Sequence, residues 1–349
     1  DYRAIRDATP VPEVFAHSLT ENRDTFVLAQ QFLAGRHRGM ESLYRVLGDL
    51  GVPMDLDAPT VTGTTWRQRT AGLATPVDPA LGEAAVIRTT PVRRRSGVEV
   101  LTGSFFASCV VKVSGMDDDQ YAHFDDHVFV VRYYANEHLC NADFAAADLI
   151  ERLRATEGLD AALVRAVVAR NGGAAADGDL RSLLAGNALS FAFVIAGQGP
   201  MAYGMPEMFA PSQNLRHHRL LEASSILMTD GRYSGVTKGA CIGHVTPEAY
   251  AGGGIGALRD GDLLRLRLGG RRIDLLDRAA FLAGREEPLD PLADPARRAL
   301  QAERQAGMEH RRLDIAACNV MDVVSDAARG VVPLAVDRRA TRDWRAAAG

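Results

Sequence analysis

Nine short apolar runs fill the chain from about residue 85 onwards, and they limit the fold more than any other feature. Glycine, aspartate or asparagine separates them. Short runs between tight turns are typical of the strands of a β-barrel or sandwich. The runs are AAVIRT, GVEVLTG, CVVKVSG, HVFVVRYY, ALSFAFVIAG, SSILMTD, GIGALRDG, DLLRLRLGG and RRIDLLD. The last two alternate on both sides of Gly269-Gly270, which predicts a β-hairpin.

Helical patterns interrupt these strands at 142–154 and 159–170 and in ADGDLRSLLAG, and another follows at 295–308. RGVVPLAV near the end predicts a last extended piece. The second domain is therefore predicted to be a β-barrel with surrounding helices.

The first 75 residues have a different pattern. DTFVLAQQFLAG and GMESLYRVLGDLG carry apolar residues at helical spacing and end in glycine. TVTGTTWRQRTAGL predicts a short strand, a glycine turn and a helix capped by Thr64 or Thr65. ATPVDPALGEAA, rich in proline and alanine, predicts a linker. We therefore predict one domain at 1–80 and a second at 81–349.

Composition excludes several classes of protein. Apolar residues make up 47% of the 349, which is globular, and the net charge of −4 gives no reason to expect nucleic acid or a membrane surface as a partner. No apolar run reaches the roughly 18 residues of a membrane span, and DYRAIRDATP does not resemble a signal peptide. The four cysteines are scattered, so we expect a reduced, cytoplasmic protein without a disulfide framework.

Glu207 lies in the segment GMPEMFAPS, residues 204–212. Pro206 lacks an N–H group, so we predict that Glu207 lies in the first turn of a helix, where the helix dipole favours a carboxylate. Such a glutamate can cap the helix, or it can be an oxygen ligand of Mg²⁺. The residues alone leave both roles open.

A second segment, MTDGRYSGVTKGACIGHVTPEA at 228–249, which we call the serine segment, contains four glycines and follows a predicted strand that runs into Gly231. Ser234 lies between flexible residues at the strand end, which suits exposed chemistry. The spacing fits neither a Walker loop nor a GxSxG nucleophile elbow. A glycine-rich turn and a phosphate-binding nest remain open as simpler interpretations.

Together the two segments resemble the dihydroxy-acid dehydratase and 6-phosphogluconate dehydratase family. The resemblance is strongest from about residue 196 to 276 and favours the sugar-acid dehydratases of the D-xylonate type. EAYAGGGIGALRDGDLLRL and TVTGTTW fit the same family. The resemblance implies a hydro-lyase that converts a sugar acid to its 2-keto-3-deoxy acid.

The resemblance also implies a role for each motif residue. Ser234 matches the serine whose alkoxide removes the C2 proton, and Thr237 matches a hydroxyl residue beside it. Glu207 matches a Mg²⁺ ligand. We further infer that Arg232, Lys238 and Gly235 serve substrate binding, because two positive charges and a flexible backbone suit a carboxylate.

The family also uses an iron–sulfur cluster, of 2Fe–2S or 4Fe–4S type, as Lewis acid for the C3 hydroxyl. Cys109, Cys140, Cys241 and Cys318 do not match its ligand positions, and we predict that Cys241 is a buried thiol. The chain thus resembles the C-terminal part of a longer enzyme, with the end of an α/β domain at 1–80. We expect it to be inactive alone, with the complete enzyme a homodimer or homotetramer.

Three other functions stay open: a branched-chain dihydroxy-acid dehydratase, a Mg²⁺ enzyme without iron, and a non-catalytic barrel that binds an anion or a partner. MDDDQYAHFDDH at 116–127 has the residue types of a metal site but is predicted to be a solvated loop. His217-His218 and Arg93–Arg95 are predicted to be surface residues. His244 is a candidate for supporting the serine segment.

Overall fold

The computed structural model describes residues 40–73, 97–173, 178–234, 237, 239–308, 323–324 and 332–333. The backbone divides into two compact units, Asp1–Gly97 and Val98–Gly349. The predicted boundary between residues 80 and 81 lies outside the described residues and stays a prediction. So does the α/β character of 1–80.

The described part of the first unit contains helix α1 at Met40–Asp49 and helix α2 at Trp66–Thr70. Thr65 caps α2, since its side chain accepts from the Gln68 N–H while the Gln68 side chain accepts from the Thr65 N–H. The predicted cap is therefore confirmed at Thr65. The short strand predicted before it is wrong, because turns with a single bridge from Pro59 to Thr65 occupy that stretch. The helix predicted in DTFVLAQQFLAG lies outside the described residues.

Eight strands of the second unit form a closed barrel in the order β1-β2-β6-β5-β4-β3-β7-β8, which confirms the predicted architecture. They are β1 Val98–Gly103, β2 Ser108–Lys112, β3 His127–Tyr134, β4 Phe191–Ile195, β5 Ile226–Thr229, β6 Cys241–Thr246, β7 Leu263–Arg267 and β8 Arg272–Leu276. The strands β7 and β8 form the predicted hairpin. A separate two-stranded ribbon pairs β9 Val323–Val324 with β10 Val332–Pro333. Strand β10 lies within the predicted last extended piece, RGVVPLAV.

Four neighbouring strands, β3, β4, β5 and β6, run parallel to one another. The last residues of three of them are in register, since Tyr134 pairs with Ile195 and Ile195 with Thr229. The segments after these strands, and the one after Thr246, therefore leave the barrel at one end. We call this end the carboxyl edge. Loops at the carboxyl ends of parallel strands commonly form binding sites.

Alternation along the strands separates two apolar cores. On β4, Ala192 and Val194 belong to the barrel interior, whereas Phe191, Phe193 and Ile195 pack under the surrounding helices. Both faces of this strand are buried, which explains its continuous apolar sequence. The helices are α3 Asp118–Phe124, α4 Glu137–Ala145, α5 Leu149–Arg154, α6 Ala161–Arg170, α7 Leu180–Ala185, α8 Pro200–Tyr203, α9 Phe209–His217, α10 Arg219–Ser224, α11 Arg278–Leu282 and α12 Pro295–Gly307.

Two predicted elements differ in the structure. GIGALRDG is not a strand, because Gly254–Ala257 forms a 3₁₀ turn in which a Cβ on Gly254 would lie 2.4 Å from the Phe105 carbonyl oxygen. The helix predicted over 142–154 is two helices, α4 and α5. Ala146 between them is extended, and the Asp143 carboxylate at the end of α4 accepts from the Tyr134 hydroxyl of β3.

Candidate functional site at the carboxyl edge

The serine segment begins where β5 ends, as predicted. The Gly231 N–H donates to Thr229 Oγ1 at 3.0 Å, and the Gly231 carbonyl accepts from the His244 N–H at 2.8 Å. A Cβ on Gly231 would lie 3.1 Å from the Pro206 carbonyl oxygen, so glycine suits this close approach. Ser234 follows three residues later and is half-buried.

The Glu207 segment lies beside the serine segment. The Arg232 N–H donates to the Pro206 carbonyl at 3.2 Å, and the Met208 N–H donates to the Arg232 carbonyl at 2.8 Å. These bonds form a parallel bridge between Glu207 and Arg232. Ser234 is two residues beyond this bridge. The fold therefore brings the two motifs of the sequence into one site.

Glu207 is not in the first turn of a helix, so that prediction is wrong. Helix α8 ends at Tyr203, followed by Gly204 as its C-cap with φ 72°, and α9 begins only at Phe209. The bridge to Arg232 holds the backbone at Glu207 extended instead. No side chain caps α9, and the Glu207 carboxylate makes no hydrogen bond or ion pair with the described residues. The capping role is thereby removed, and the carboxylate is available to a ligand.

Within the serine segment, Thr237 is close to Ser234, and Lys112 contacts both residues from strand β2. Thr237 is buried, and its N–H donates to the Ser234 carbonyl at 3.3 Å. Lys112 at the end of β2 donates from Nζ to the carbonyls of Ser234, at 3.1 Å, and Thr237, at 2.6 Å. Burial lowers the pKa of Lys112. Gly235 and Lys238 lie outside the described residues, so their predicted roles stay predictions. Arg232 is exposed.

Sequence reasoning did not single out Lys112, and it also missed two buried acids of the carboxyl edge. Asp230 accepts from the N–H groups of Gly197 at 3.1 Å, Gln198 at 2.8 Å and Ala249 at 2.9 Å. This carboxylate therefore ties the segments after β4 and β6 to the end of β5. Glu248 accepts from the N–H groups of Met201 at 2.7 Å and Ala202 at 3.2 Å, at the start of α8.

Burial raises the pKa of Asp230 to about 6 and that of Glu248 to about 7, and the backbone donors offset part of the increase. Both acids are at most 1% exposed. A carboxyl with a raised pKa in the folded state stabilises the fold below its unfolded pKa, near 4. That stabilisation is lost as the pH rises through the folded pKa.

We expect the free energy of unfolding to fall between pH 5 and pH 8, by on the order of 1 kcal/mol through Asp230 and 2 kcal/mol through Glu248. Asp230→Asn and Glu248→Gln should each remove the pH dependence of the free energy of unfolding that comes from the substituted acid, because the amides do not ionise. Urea unfolding of the three proteins at four pH values measures this. Equal pH slopes in wild type and variants would contradict the expectation.

The other candidates from the sequence have structural roles. Asp117 caps helix α3 by accepting from the Gln120 N–H, so MDDDQYAHFDDH is largely a helix rather than the predicted loop. Asp126, after this helix, forms ion pairs with Arg170 and Arg265. Within the described ranges, no cluster of three or more His, Cys, Asp or Glu could hold a metal. His217 is exposed, as predicted, whereas the neighbouring His218 is half-buried.

His244 contacts the serine segment through its backbone, and it has a positive φ of 56°. Burial and the nearby Arg232 charge lower the pKa of its imidazole. The neutral ring therefore adds no positive charge to the site near pH 7.

The donor set fits Mg²⁺ but not an iron–sulfur cluster. One free carboxylate, Glu207, suits a Mg²⁺ ion that keeps several waters and takes further oxygens from a substrate. Cluster ligands must be thiolates, whereas burial raises the pKa of Cys109, Cys140 and Cys241, the last to about 12. Cys241 is thus a buried thiol, as predicted. Cys318 lies outside the described residues.

A cavity of about 320 Å³ opens at the carboxyl edge beside the ends of β3 and β4. Its polar lining includes His138, Gln198, Tyr203 and Arg304. Gln198 is 3% exposed, and no described residue donates to its Oε1. Asp230 holds the Gln198 backbone, which connects the cavity wall directly to the serine segment. No described helix is long and apolar enough to cross a bilayer.

Comparison with known proteins gives a consistent result. The family model described as dihydroxy-acid/6-phosphogluconate dehydratase C-terminal matches residues 85–317. A dihydroxy-acid dehydratase of Pelobacter propionicus is 33% identical over 272 residues, which are 75% of this chain and 40% of the relative. One of Mycobacterium tuberculosis is 30% identical over 255 residues, or 72% of this chain and 36% of the relative.

A shorter match is closer in sequence. A dihydroxy-acid dehydratase of Nitratidesulfovibrio vulgaris is 46% identical over 105 residues, covering 30% of this chain and 19% of the relative. The Pelobacter alignment, like the Mycobacterium one, spans about two fifths of the relative or less. A closer likeness to sugar-acid dehydratases does not emerge from these matches.

Proposed function

The chain belongs to the dihydroxy-acid/6-phosphogluconate dehydratase family through its C-terminal domain, and we propose that it serves a hydro-lyase acting on a 2,3-dihydroxy acid. One observation carries this proposal. The bridge between Glu207 and Arg232 places a free carboxylate beside the segment that presents Ser234. A metal ligand and a candidate base therefore lie on two paired segments.

In the proposed reaction Ser234 acts as an alkoxide and takes the proton from C2. The C2–H and C3–O bonds break, the elements of water leave, and the enol becomes a 2-keto-3-deoxy acid. An ordinary serine is a weak base, so positive charge nearby is needed to favour its alkoxide. Arg232 is exposed and can receive the substrate carboxylate. Thr237, Lys238 and Gly235 are proposed to complete the binding of that carboxylate.

Glu207 is the residue of this chain that would hold Mg²⁺. When bound, the ion supplies positive charge that stabilises the enolate. The iron–sulfur cluster stays part of the proposal as a group held outside this chain, since the thiols here do not fit it. We derive no step from the cluster.

We propose that the substrate is a sugar acid such as D-xylonate, with its hydroxyl chain in the cavity beside Gln198. A polyhydroxy chain can donate to the Gln198 amide, whereas a branched aliphatic chain would leave that buried acceptor unpaired. A site with a buried acceptor discriminates strongly against a substrate that lacks the matching hydroxyl. The second candidate is a branched-chain dihydroxy acid, and the names of the relatives support it.

The test uses the longest polypeptide that the gene encodes, purified anaerobically with Mg²⁺. D-Xylonate, other aldonates and 2,3-dihydroxyisovalerate are assayed separately for 2-keto-3-deoxy or 2-keto product. We expect turnover, with higher kcat/KM for an aldonate, from a cytoplasmic homodimer or homotetramer. We expect none from the 349-residue chain alone. Higher kcat/KM for the branched-chain acid would support the second candidate. Anion binding without turnover of any acid would favour a non-catalytic barrel.

A further inference from the structure

Lysine is rare in this chain, and one of the two lysines contacts the serine segment while the other belongs to that segment by sequence. The sequence contains 38 arginines but only two lysines, Lys112 and Lys238. Lys238 lies in the serine segment by sequence, and Lys112 reaches that segment from β2. Arginine supplies nearly every other positive charge. A specific requirement for an ammonium group at this place would explain the exception.

The Lys112 ammonium links two residues of the serine segment. Nζ donates to the carbonyls of Ser234 and Thr237, and the Thr237 N–H donates to the Ser234 carbonyl. A further bond joins the same two segments, from the Gly239 N–H to the Gly115 carbonyl at 2.7 Å. The serine segment is thus held to the end of β2 at several points.

An ammonium suits this position better than a guanidinium. It is a compact charge with three donors that can converge on neighbouring carbonyl oxygens, whereas guanidinium is a larger planar group. The protonated form strengthens both contacts to the carbonyls, because charge-assisted hydrogen bonds are stronger than neutral ones. Burial lowers the pKa of Lys112, and Cys241 on the neighbouring strand β6 is the titratable group that faces it.

We propose that Lys112 is a positioning residue for Ser234, which holds the backbone of Ser234 and Thr237 in place and supplies positive charge that favours the serine alkoxide. The inference rests on the proposed dehydratase function for its second part. Nζ is 3.1 Å from the Ser234 carbonyl, so bond lengths place it within roughly 8 Å of the hydroxyl of the same residue. A unit charge at this distance changes a pKa by on the order of one unit.

The kinetic test compares Lys112→Gln and Lys112→Arg with wild type in the active protein. Glutamine keeps a donor but loses the charge. We expect its kcat to fall about tenfold or more and its pH–rate profile to move about one unit towards higher pH. Arginine keeps the charge, so its profile stays in place. Arg265→Gln is the control, because it removes from β7, a strand that does not pair with β2, a cation that pairs with Asp126, and we expect it to leave the profile unmoved.

Two measurements test the inference without turnover. Hydrogen exchange of a peptide spanning residues 231–240 is expected to be faster in Lys112→Gln than in wild type. In NMR spectra of protein labelled with ¹³C at the lysine Cε, the signal that disappears in Lys112→Gln is that of Lys112. We expect this signal to titrate with a pKa below the usual lysine value of about 10.4. Thermal unfolding confirms that each variant is folded.

The outcomes separate this inference from the proposed function. If wild type turns over no dihydroxy acid but exchange is faster in Lys112→Gln, the proposed function fails and the positioning role stands. If wild type is active and Lys112→Gln keeps its pH–rate profile, the charge role is overturned. Unchanged exchange in the folded Lys112→Gln variant overturns the positioning role.

Discussion

Ser234→Ala is expected to lower kcat for dehydration by at least about 10²-fold, because loss of a general base typically costs this much or more. The alanine variant keeps the hydrogen bonds that Lys112 and Thr237 donate to the Ser234 backbone carbonyl. KM and thermal stability should therefore change little. Single-turnover measurement of keto-acid formation tests the effect directly.

Ser182→Ala is the matched control, since Ser182 is an exposed serine on α7 whose hydroxyl donates to nearby Asp179. It should leave kcat unchanged. If Ser234→Ala retains kcat within about threefold of wild type, Ser234 does not remove the C2 proton. Another base would then have to be sought at the carboxyl edge.

The barrel could be predicted because its strands carry strong local signals. Both faces of β3 and β4 are mostly buried, so their sequences are apolar almost throughout. The β7–β8 hairpin alternates around its glycine turn, and the register from Leu263↔Leu276 to Arg267↔Arg272 follows that turn. These signals depend only on neighbouring residues, and a single sequence contains them.

Strand β6 could not be predicted in the same way. Its sequence, CIGHVT, includes Gly243 and a left-handed His244, which are local signs of a loop. It is a strand because β2 and β5 pair with it on either side. The glycine also has a packing reason, since a Cβ on Gly243 would lie 3.3 Å from the Tyr233 ring. Tertiary contacts here override local propensity.

The site could be predicted only in part for a similar reason. The motifs indicated Ser234 and Glu207, but the bridge that brings their segments together depends on the fold. Lys112 lies 122 residues before Ser234 in sequence, so no local pattern links the two. The rarity of lysine was the available signal. Asp230 carried no signal beyond its place after a strand.

Glu207→Gln is expected to raise the Mg²⁺ concentration needed for half-maximal activity by at least about tenfold. Removing even a group that only hydrogen-bonds to a metal ligand typically lowers metal affinity or activity by about 10–100-fold. An amide oxygen can still coordinate Mg²⁺, but it lacks the negative charge that a hard dication favours. The fold should be unaffected, because the carboxylate makes no bond to a described residue. Titration of activity with Mg²⁺, and of Mg²⁺ binding by calorimetry, measures the change.

Glu151→Gln, at an exposed glutamate on α5, is the control for charge alone and should leave the Mg²⁺ curve in place. An unchanged curve in Glu207→Gln would show that Glu207 is not a ligand. The result also decides between two explanations of the unpaired carboxylate. A ligand is needed for metal affinity, so removing its charge weakens binding. A solvated surface glutamate has no such role, and the bridge to Arg232 would then only shape the serine segment.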